Sequence, residues 1–129
     1  MSIDNYITGL QHVGVPSGDI EATVKFYESL GFKNVNDFIN DGIRVVFLEL
    51  KNIVIETYEV DEPAGVAGAI NHITLDVTDI DAVYELAKEK GYTITEGGGV
   101  NFLPFWDNGI KYIMLEGPNK ERVELNQIL

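Results

Sequence analysis

The sequence predicts an α+β protein in which two tandem βαβββ modules form a curved mixed sheet. Two observations support this: the chain contains an internal repeat, and each repeat alternates strand and helix patterns. At 129 residues and 45% hydrophobic, the chain suits one compact domain better than two. We therefore expect a single domain with module 1 at 8–60, a Gly- and Pro-containing linker at 61–68, and module 2 at 69–129.

The repeat is clearest at the first strand of each module. Residues 10–15, Leu-Gln-His-Val-Gly-Val, match residues 70–75, Ile-Asn-His-Ile-Thr-Leu. Further on, residues 43–49 match residues 110–116, again as a strand-like apolar run that ends in glutamate. Neither module has enough core to fold securely alone, so we expect the two to pack edge to edge or to pair with modules of a second chain.

The helix that follows the first strand has the same boundary signals in both modules. Asp19 and Asp79 are placed to cap the first turn, while Gly31 and Gly91 are placed to end the helix in a left-handed conformation. Each helix has one apolar stripe that should pack on the sheet. The stripes are Ile20, Val24, Tyr27 and Leu30 in module 1, and Ile80, Val83, Tyr84 and Ala87 in module 2.

The second half of module 2 is longer than its counterpart because of residues 97–108. This stretch is rich in glycine and then in aromatic residues, and we predict that it is a loop. The last strands match again, residues 54–56 with residues 122–124. Each module therefore closes with a strand that contains a glutamate.

Composition excludes several classes of function. The net charge of -12 disfavours nucleic-acid binding, and no apolar run is long enough to cross a membrane. The N-terminus lacks the features of a signal peptide, so we expect a cytoplasmic protein. Without cysteine, the strong metal ligands available are histidine and carboxylate.

Strand alternation places four polar residues on the faces that the helices leave uncovered. His12 and His72 alternate with apolar residues on the first strands, and Glu56 and Glu124 do the same on the last. A lone histidine in a strand is more often structural, and an outward glutamate is usually solvated. The recurrence of both types at matched positions nevertheless favours a shared metal ion.

Glu49 and Glu116 also repeat, but they lie at strand ends beside turns, where an exposed glutamate costs little free energy. We interpret them as surface or supporting residues.

Residues 19–32 and 116–126, together with the repeated His-bearing strand, resemble the vicinal oxygen chelate superfamily. The resemblance spans residues 10–129 and is closest to the glyoxalase I and bleomycin-resistance-like group. It implies the glyoxalase/bleomycin resistance/dioxygenase fold. It also implies one divalent ion per site, Ni²⁺, Zn²⁺, Co²⁺, Mn²⁺ or Fe²⁺, bound by His12, Glu56, His72 and Glu124.

The resemblance further implies a lactoylglutathione lyase-like enzyme. Such a lyase or isomerase would act on a small oxygen-rich or thiol-conjugated 2-oxo substrate through a metal-stabilised enediolate. A ligand carboxylate, Glu56 or Glu124, would be the base, with Glu124 preferred. No arginine adjoins His12, where glyoxalase I is expected to have one, and Arg122 is the best-placed cation. The residues expected to line the substrate pocket are Phe47, Tyr58, Phe102, Phe105, Trp106, Tyr112, Met114 and Arg122.

Alternatives within the same fold differ in what they require. A metal-free protein that sequesters an aromatic or antibiotic ligand needs only the aromatic pocket. An extradiol-type dioxygenase would need a third histidine, and the chain has two. A fosfomycin-type thiol transferase fits poorly with four candidate ligands and two arginines. We expect a homodimer that binds a small molecule.

Overall fold

The structure, a computed structural model, describes residues 2–129 as two compact units, one up to Glu62 and one from Pro63 onward. The boundary lies within the predicted linker at 61–68. Within residues 2–129, no helix has the length and apolar character needed to cross a membrane.

The first unit contains one helix packed on a four-stranded sheet. A short 3₁₀ helix at Ile3–Tyr6 precedes it. The elements are β1 (Val13–Ser17), α1 (Ile20–Ser29), β2 (Lys33–Asn40), β3 (Ile43–Leu50) and β4 (Ile53–Glu59). The strand order is β1-β4-β3-β2, with β1 parallel to β4 and the other pairs antiparallel. This is the predicted βαβββ module.

The second unit repeats this plan with one change. Its elements are β5 (Ile73–Asp76), α2 (Ile80–Glu89), β6 (Thr93–Thr95), β7 (Asn101–Leu103), β8 (Ile110–Glu116) and β9 (Arg122–Ile128). The strand order is β5-β9-β8-β6, and β7 also pairs with β8. The prediction of a loop over residues 97–108 is therefore wrong for β7, which finds hydrogen-bonding partners along β8.

The α+β class and the duplicated module are confirmed, and the hydrogen-bonded strands form two mixed sheets, one in each unit. In the described residues, each ladder stays within its own module. The predicted curved mixed sheet is thus divided between the modules.

Both helices begin and end where the sequence predicts. The Asp19 carboxylate accepts a hydrogen bond from the Ala22 backbone N–H at 3.1 Å, and Asp79 accepts one from Ala82 at the same distance. Each helix is followed by a glycine with positive φ, 106° at Gly31 and 75° at Gly91. These left-handed residues turn the chain back towards the next strand.

The core lies between each helix and one face of its sheet. In module 1 it includes Val46, Leu48 and Ile55, all fully buried. Buried hydroxyls there are satisfied locally, since Thr57 donates to the Val15 carbonyl at 2.9 Å. In module 2 the buried set includes Ile80, Ile113, Leu115 and Val123. The predicted alternation is confirmed, so the polar residues of β4 and β9 lie on the opposite faces.

Candidate metal site and ligand cleft

Parallel pairing of the first and last strands brings one histidine and one glutamate together in each module. On β4, Glu56 is aligned with Gly14, and on β9, Glu124 is aligned with Thr74. His12 Nε2 lies 3.8 Å from Glu56 Oε1, and His72 Nε2 lies 3.7 Å from Glu124 Oε1. The duplicated sequence has therefore produced the same pair twice, with nearly the same separation.

The other nitrogen of each imidazole contacts the side-chain amide of the preceding residue. His12 Nδ1 is 3.0 Å from Gln11 Oε1, and His72 Nδ1 is 3.0 Å from Asn71 Oδ1. Because an amide oxygen only accepts, this contact favours the tautomer with hydrogen on Nδ1 and a lone pair on Nε2. The lone pair is then turned towards the glutamate, as in histidines that bind metals.

The donor chemistry of each pair fits a shared divalent ion. Ligand nitrogen and oxygen atoms lie about 2.0–2.2 Å from such an ion, so two of them can be up to about 4.3 Å apart. The separations of 3.7 and 3.8 Å are within that limit and too long for a direct hydrogen bond. Among residues 2–129, no three or more His, Asp or Glu side chains form a group that could hold a metal ion. The structure thus shows two pairs of potential ligands.

The two glutamates differ in how firmly they are held. Glu124 Oε2 accepts hydrogen bonds from Asn126 Nδ2 at 2.8 Å and from Thr74 Oγ1 at 3.3 Å. Its side chain is 13% exposed, whereas that of Glu56 is 27% exposed. Within the described chain, Glu56 has no side-chain hydrogen bond of this kind. Glu124 is therefore fixed in place, while Glu56 has more freedom to move.

Two of the predicted pocket residues belong to module 1 and surround its His–Glu pair. The Phe47 ring meets the His12 ring edge-on, with centroids 5.7 Å apart, and stacks on Phe38 at 6.2 Å. A Cβ on Gly14 would lie 3.7 Å from the Tyr58 ring and 3.9 Å from the Glu56 carboxylate. The open face at Gly14 is therefore bordered by an aromatic ring and a carboxylate.

Module 2 contains a cleft of about 530 Å³ on the uncovered face of its sheet. It includes His72 and Glu124, and five of the predicted pocket residues line it: Phe105, Trp106, Tyr112, Met114 and Arg122. Phe102 does not line it. Successive residues of β7 point to opposite sides, so Leu103 lines the cleft and Phe102 lies against Gly109.

Sequence reasoning missed Glu96, which also lines the cleft. It pairs with the Arg122 guanidinium through Oε1, and its Oε2 accepts a hydrogen bond from the Tyr112 hydroxyl at 3.0 Å. Glu96 has a φ of 60°, and Gly97 and Gly98 after it are also left-handed. The glycine run after Glu96 was the available signal for an unusual turn.

Sequence reasoning also missed the polar residues around Glu124. Thr74, Asp76 and Asn126 line the same cleft. Strand alternation places them on the same uncovered faces as His72 and Glu124, but nothing in the sequence singled them out as site residues. Gln11 and Asn71 could have been found, because each immediately precedes a repeated histidine.

The fold is that of a duplicated βαβββ protein with a histidine beside a glutamate on the uncovered sheet face of each module. Residues 9–103 match the model of the Glyoxalase/Bleomycin resistance protein/Dioxygenase superfamily. The chain belongs to this superfamily. It is also 31% identical over 127 residues to the uncharacterized protein YwbC of Bacillus subtilis (strain 168), covering 92% of this chain and 96% of that protein.

Solved structures show the same fold at low sequence identity. A glyoxalase family protein from Enterococcus faecalis has a TM-score of 0.77 at 20% identity, covering 94% of this chain and 98% of that one. The fosfomycin resistance protein FosX from Listeria monocytogenes, solved with Mn(II) and sulfate, has a TM-score of 0.73 at 16% identity, covering 95% and 94%. The bleomycin resistance determinant of transposon Tn5 has a TM-score of 0.68 at 23% identity, covering 93% and 98%.

Proposed function

We propose that the protein is a metal-dependent, glyoxalase-like lyase or isomerase that acts on a small oxygen-rich or thiol-conjugated 2-oxo compound. One observation carries the proposal. Each module presents a histidine Nε2 beside a glutamate oxygen, with the histidine Nδ1 held by an amide. The chain belongs to a superfamily that includes glyoxalases, and FosX, a fold neighbour, was solved with Mn(II).

In this proposal the two pairs, His12–Glu56 and His72–Glu124, would together supply the ligands of a divalent ion, within one chain or across a dimer. When bound, the ion supplies positive charge that stabilises negative charge developing on a substrate oxygen. The hydrogen bonds favour Glu56 as the base, in contrast to the preference for Glu124 drawn from the resemblance. A base has to reach the proton on carbon, and the Asn126 and Thr74 contacts limit the reach of Glu124.

The cleft of module 2 binds the rest of the substrate. Among its lining residues, Phe105 and Trp106 provide exposed apolar contact area, and Met114 lines it from β8. Polar groups on β5 and β9, including Asn126, orient the oxygen atoms. A cleft of about 530 Å³ matches a small ligand.

Proton exchange tests the proposal directly. The protein loaded with Ni²⁺ or Mn²⁺ is incubated in deuterated buffer with a 2-oxo compound, and loss of the proton next to the carbonyl is followed by NMR. We expect exchange above the buffer rate, and a drop of about a hundredfold or more in Glu56→Gln. Glu59→Gln, an exposed change on the same strand, should exchange like the wild type. Exchange at the buffer rate in the loaded wild type would refute the proposal.

A metal-free binding protein for an aromatic or antibiotic ligand is the second candidate. Phe105 is 54% exposed and Trp106 is 73% exposed, yet both line a concave cleft, and such rings often contact ligands. Quenching of Trp106 fluorescence by an aromatic ligand, at equal strength with and without chelator, would favour this function.

Homodimer formation stays a prediction, and sedimentation velocity would test it.

A further inference from the structure

Arg122 is the only lysine or arginine among the described residues that line the cleft of module 2. A guanidinium in a cleft normally favours carboxylate or phosphate groups of a ligand. Here the guanidinium is already paired, because Glu96 Oε1 contacts Arg122 Nη2. Arg122 Nε is buried and has no hydrogen-bond partner among residues 2–129. The cation of the cleft is therefore bound to the protein's own carboxylate on one side.

Several contacts hold Glu96 against Arg122. The Tyr112 hydroxyl donates to its second carboxylate oxygen at 3.0 Å. Its backbone carbonyl accepts a hydrogen bond from Asn101 Nδ2 at 3.2 Å. The left-handed conformation of Glu96 is continued by Gly97, where a Cβ would lie 2.0 Å from the Asn101 amide oxygen. The turn is thus built around a glutamate that faces the cleft.

The charge balance of the cleft follows from this arrangement. In the cleft without a bound metal ion, Asp76, Glu96 and Glu124 supply three carboxylates around it, against the single guanidinium of Arg122. An anionic ligand would have to displace Glu96 from Arg122 and approach the remaining carboxylates. A neutral ligand can use the aromatic wall and the polar groups without separating any ion pair.

We propose that Glu96 sets the charge specificity of the cleft by neutralising Arg122, so that the cleft takes a neutral 2-oxo compound and rejects one that carries a carboxylate or phosphate. The 2-oxo class rests on the function proposed above, whereas the role of Glu96 in charge selection does not. Glu96 is a specificity-determining residue here, because it acts on the ligand through Arg122.

A pair of matched ligands tests the proposal. Methyl benzoylformate and benzoylformate share one 2-oxo skeleton and differ in whether the carboxyl group is esterified. Trp106 is the only tryptophan of the chain and lines the cleft, so its fluorescence reports binding there. We expect the wild type to prefer the neutral ester. Glu96→Gln should bind benzoylformate about tenfold more tightly, because Arg122 gains a free charge-assisted contact, with little change for the ester.

Control variants separate this effect from net charge and from misfolding. Glu89→Gln makes the same charge change on an exposed position at the end of α2 and should leave both affinities unchanged. The double variant Glu96→Gln/Arg122→Gln should lose the gain for benzoylformate. If circular dichroism shows that Glu96→Gln does not fold, the test is whether the wild type binds the ester more tightly than benzoylformate.

Titrations are run after chelator treatment, because a 2-oxo carboxylate would also bind a divalent ion directly. The proposal is overturned if the chelator-treated wild type binds benzoylformate as tightly as the ester, or if a folded Glu96→Gln variant shows no gain for the anion. Failure of the metal-dependent function would leave the charge preference intact. Loss of the charge preference in a protein that is active when reloaded with metal would overturn only the role of Glu96.

Discussion

At the level of single residues, the amides before the two histidines are as informative as the histidines themselves. Gln11 and Asn71 each accept a hydrogen bond from the Nδ1 atom of their neighbour. An imidazole held in this way already has the ring orientation and the Nε2 lone pair that a metal ligand needs. No free energy is then spent on fixing either of them when a metal ion binds. The amide–imidazole contact is therefore part of the candidate metal site.

This contact makes a prediction for metal affinity. Asn71→Leu removes the acceptor of His72 Nδ1 and should weaken Ni²⁺ or Mn²⁺ binding about 10- to 100-fold, measured by calorimetry. Asn71→Asp keeps an oxygen at the same position and serves as the matched control, with affinity at least equal to that of the wild type. Equal affinity in Asn71→Leu and the wild type would show that His72 needs no such support.

A second residue-scale prediction concerns acid stability. The Arg44 guanidinium donates to both carboxylate oxygens of Asp37, and hydrogen bonding from Arg44 and then Asn34 holds the pKa of Asp37 below its usual value. A pKa lowered by folding adds stability that is fully present above the unfolded value of about 3.9 and is lost as the pH falls through the folded value. The two side chains are 26% and 38% exposed, so solvent screens the pair and the gain is small.

Asp37→Asn should therefore lower the free energy of unfolding at pH 6 and flatten its fall in acid, as measured by urea denaturation at low salt. Asp61→Asn, in the exposed linker, is the control and should leave the acid profile unchanged. An acid profile of Asp37→Asn that matches the wild type would mean that the Arg44 pair contributes nothing to stability.

At the level of elements, the helix caps are the clearest case of structure dictated by local sequence. Asp79 satisfies a free N–H of the first turn of α2, so Asp79→Ala should reduce the free energy of unfolding by about 1 kcal/mol. Asp79→Asn keeps the side-chain acceptor and should stay close to the wild type. Equal losses in both variants would indicate that the charge of Asp79, and not its hydrogen bond, stabilises the helix.

The same elements show where sequence reasoning succeeded and where it failed. Alternation along β4 and β9 predicted which face carries Glu56 and Glu124, because a strand with one buried face has only one acceptable register. It failed at β7, where three residues are too few for a periodic pattern. That strand depends on pairing with β8, which no local signal shows.

At the level of the whole molecule, repetition predicted the fold and the matched positions of the two histidines and two glutamates, since a duplicated unit repeats its residues and its geometry together. Their gathering around one ion stays a prediction. It could not predict the difference between the modules. Glu96 and Arg122 meet across 26 residues of chain, and the position aligned with Arg122 in module 1 is Val54. Such contacts form only when the chain folds and brings distant residues together. No local sequence pattern therefore indicates them.

We propose that the two His–Glu pairs bind a divalent ion. Elemental analysis of protein purified without chelator tests it most directly. We predict a near-stoichiometric transition metal in the wild type and in Glu59→Gln, and a large loss in His12→Ala and in His72→Ala. Metal at background level in the folded wild type, or unchanged metal content in both histidine variants, would contradict it.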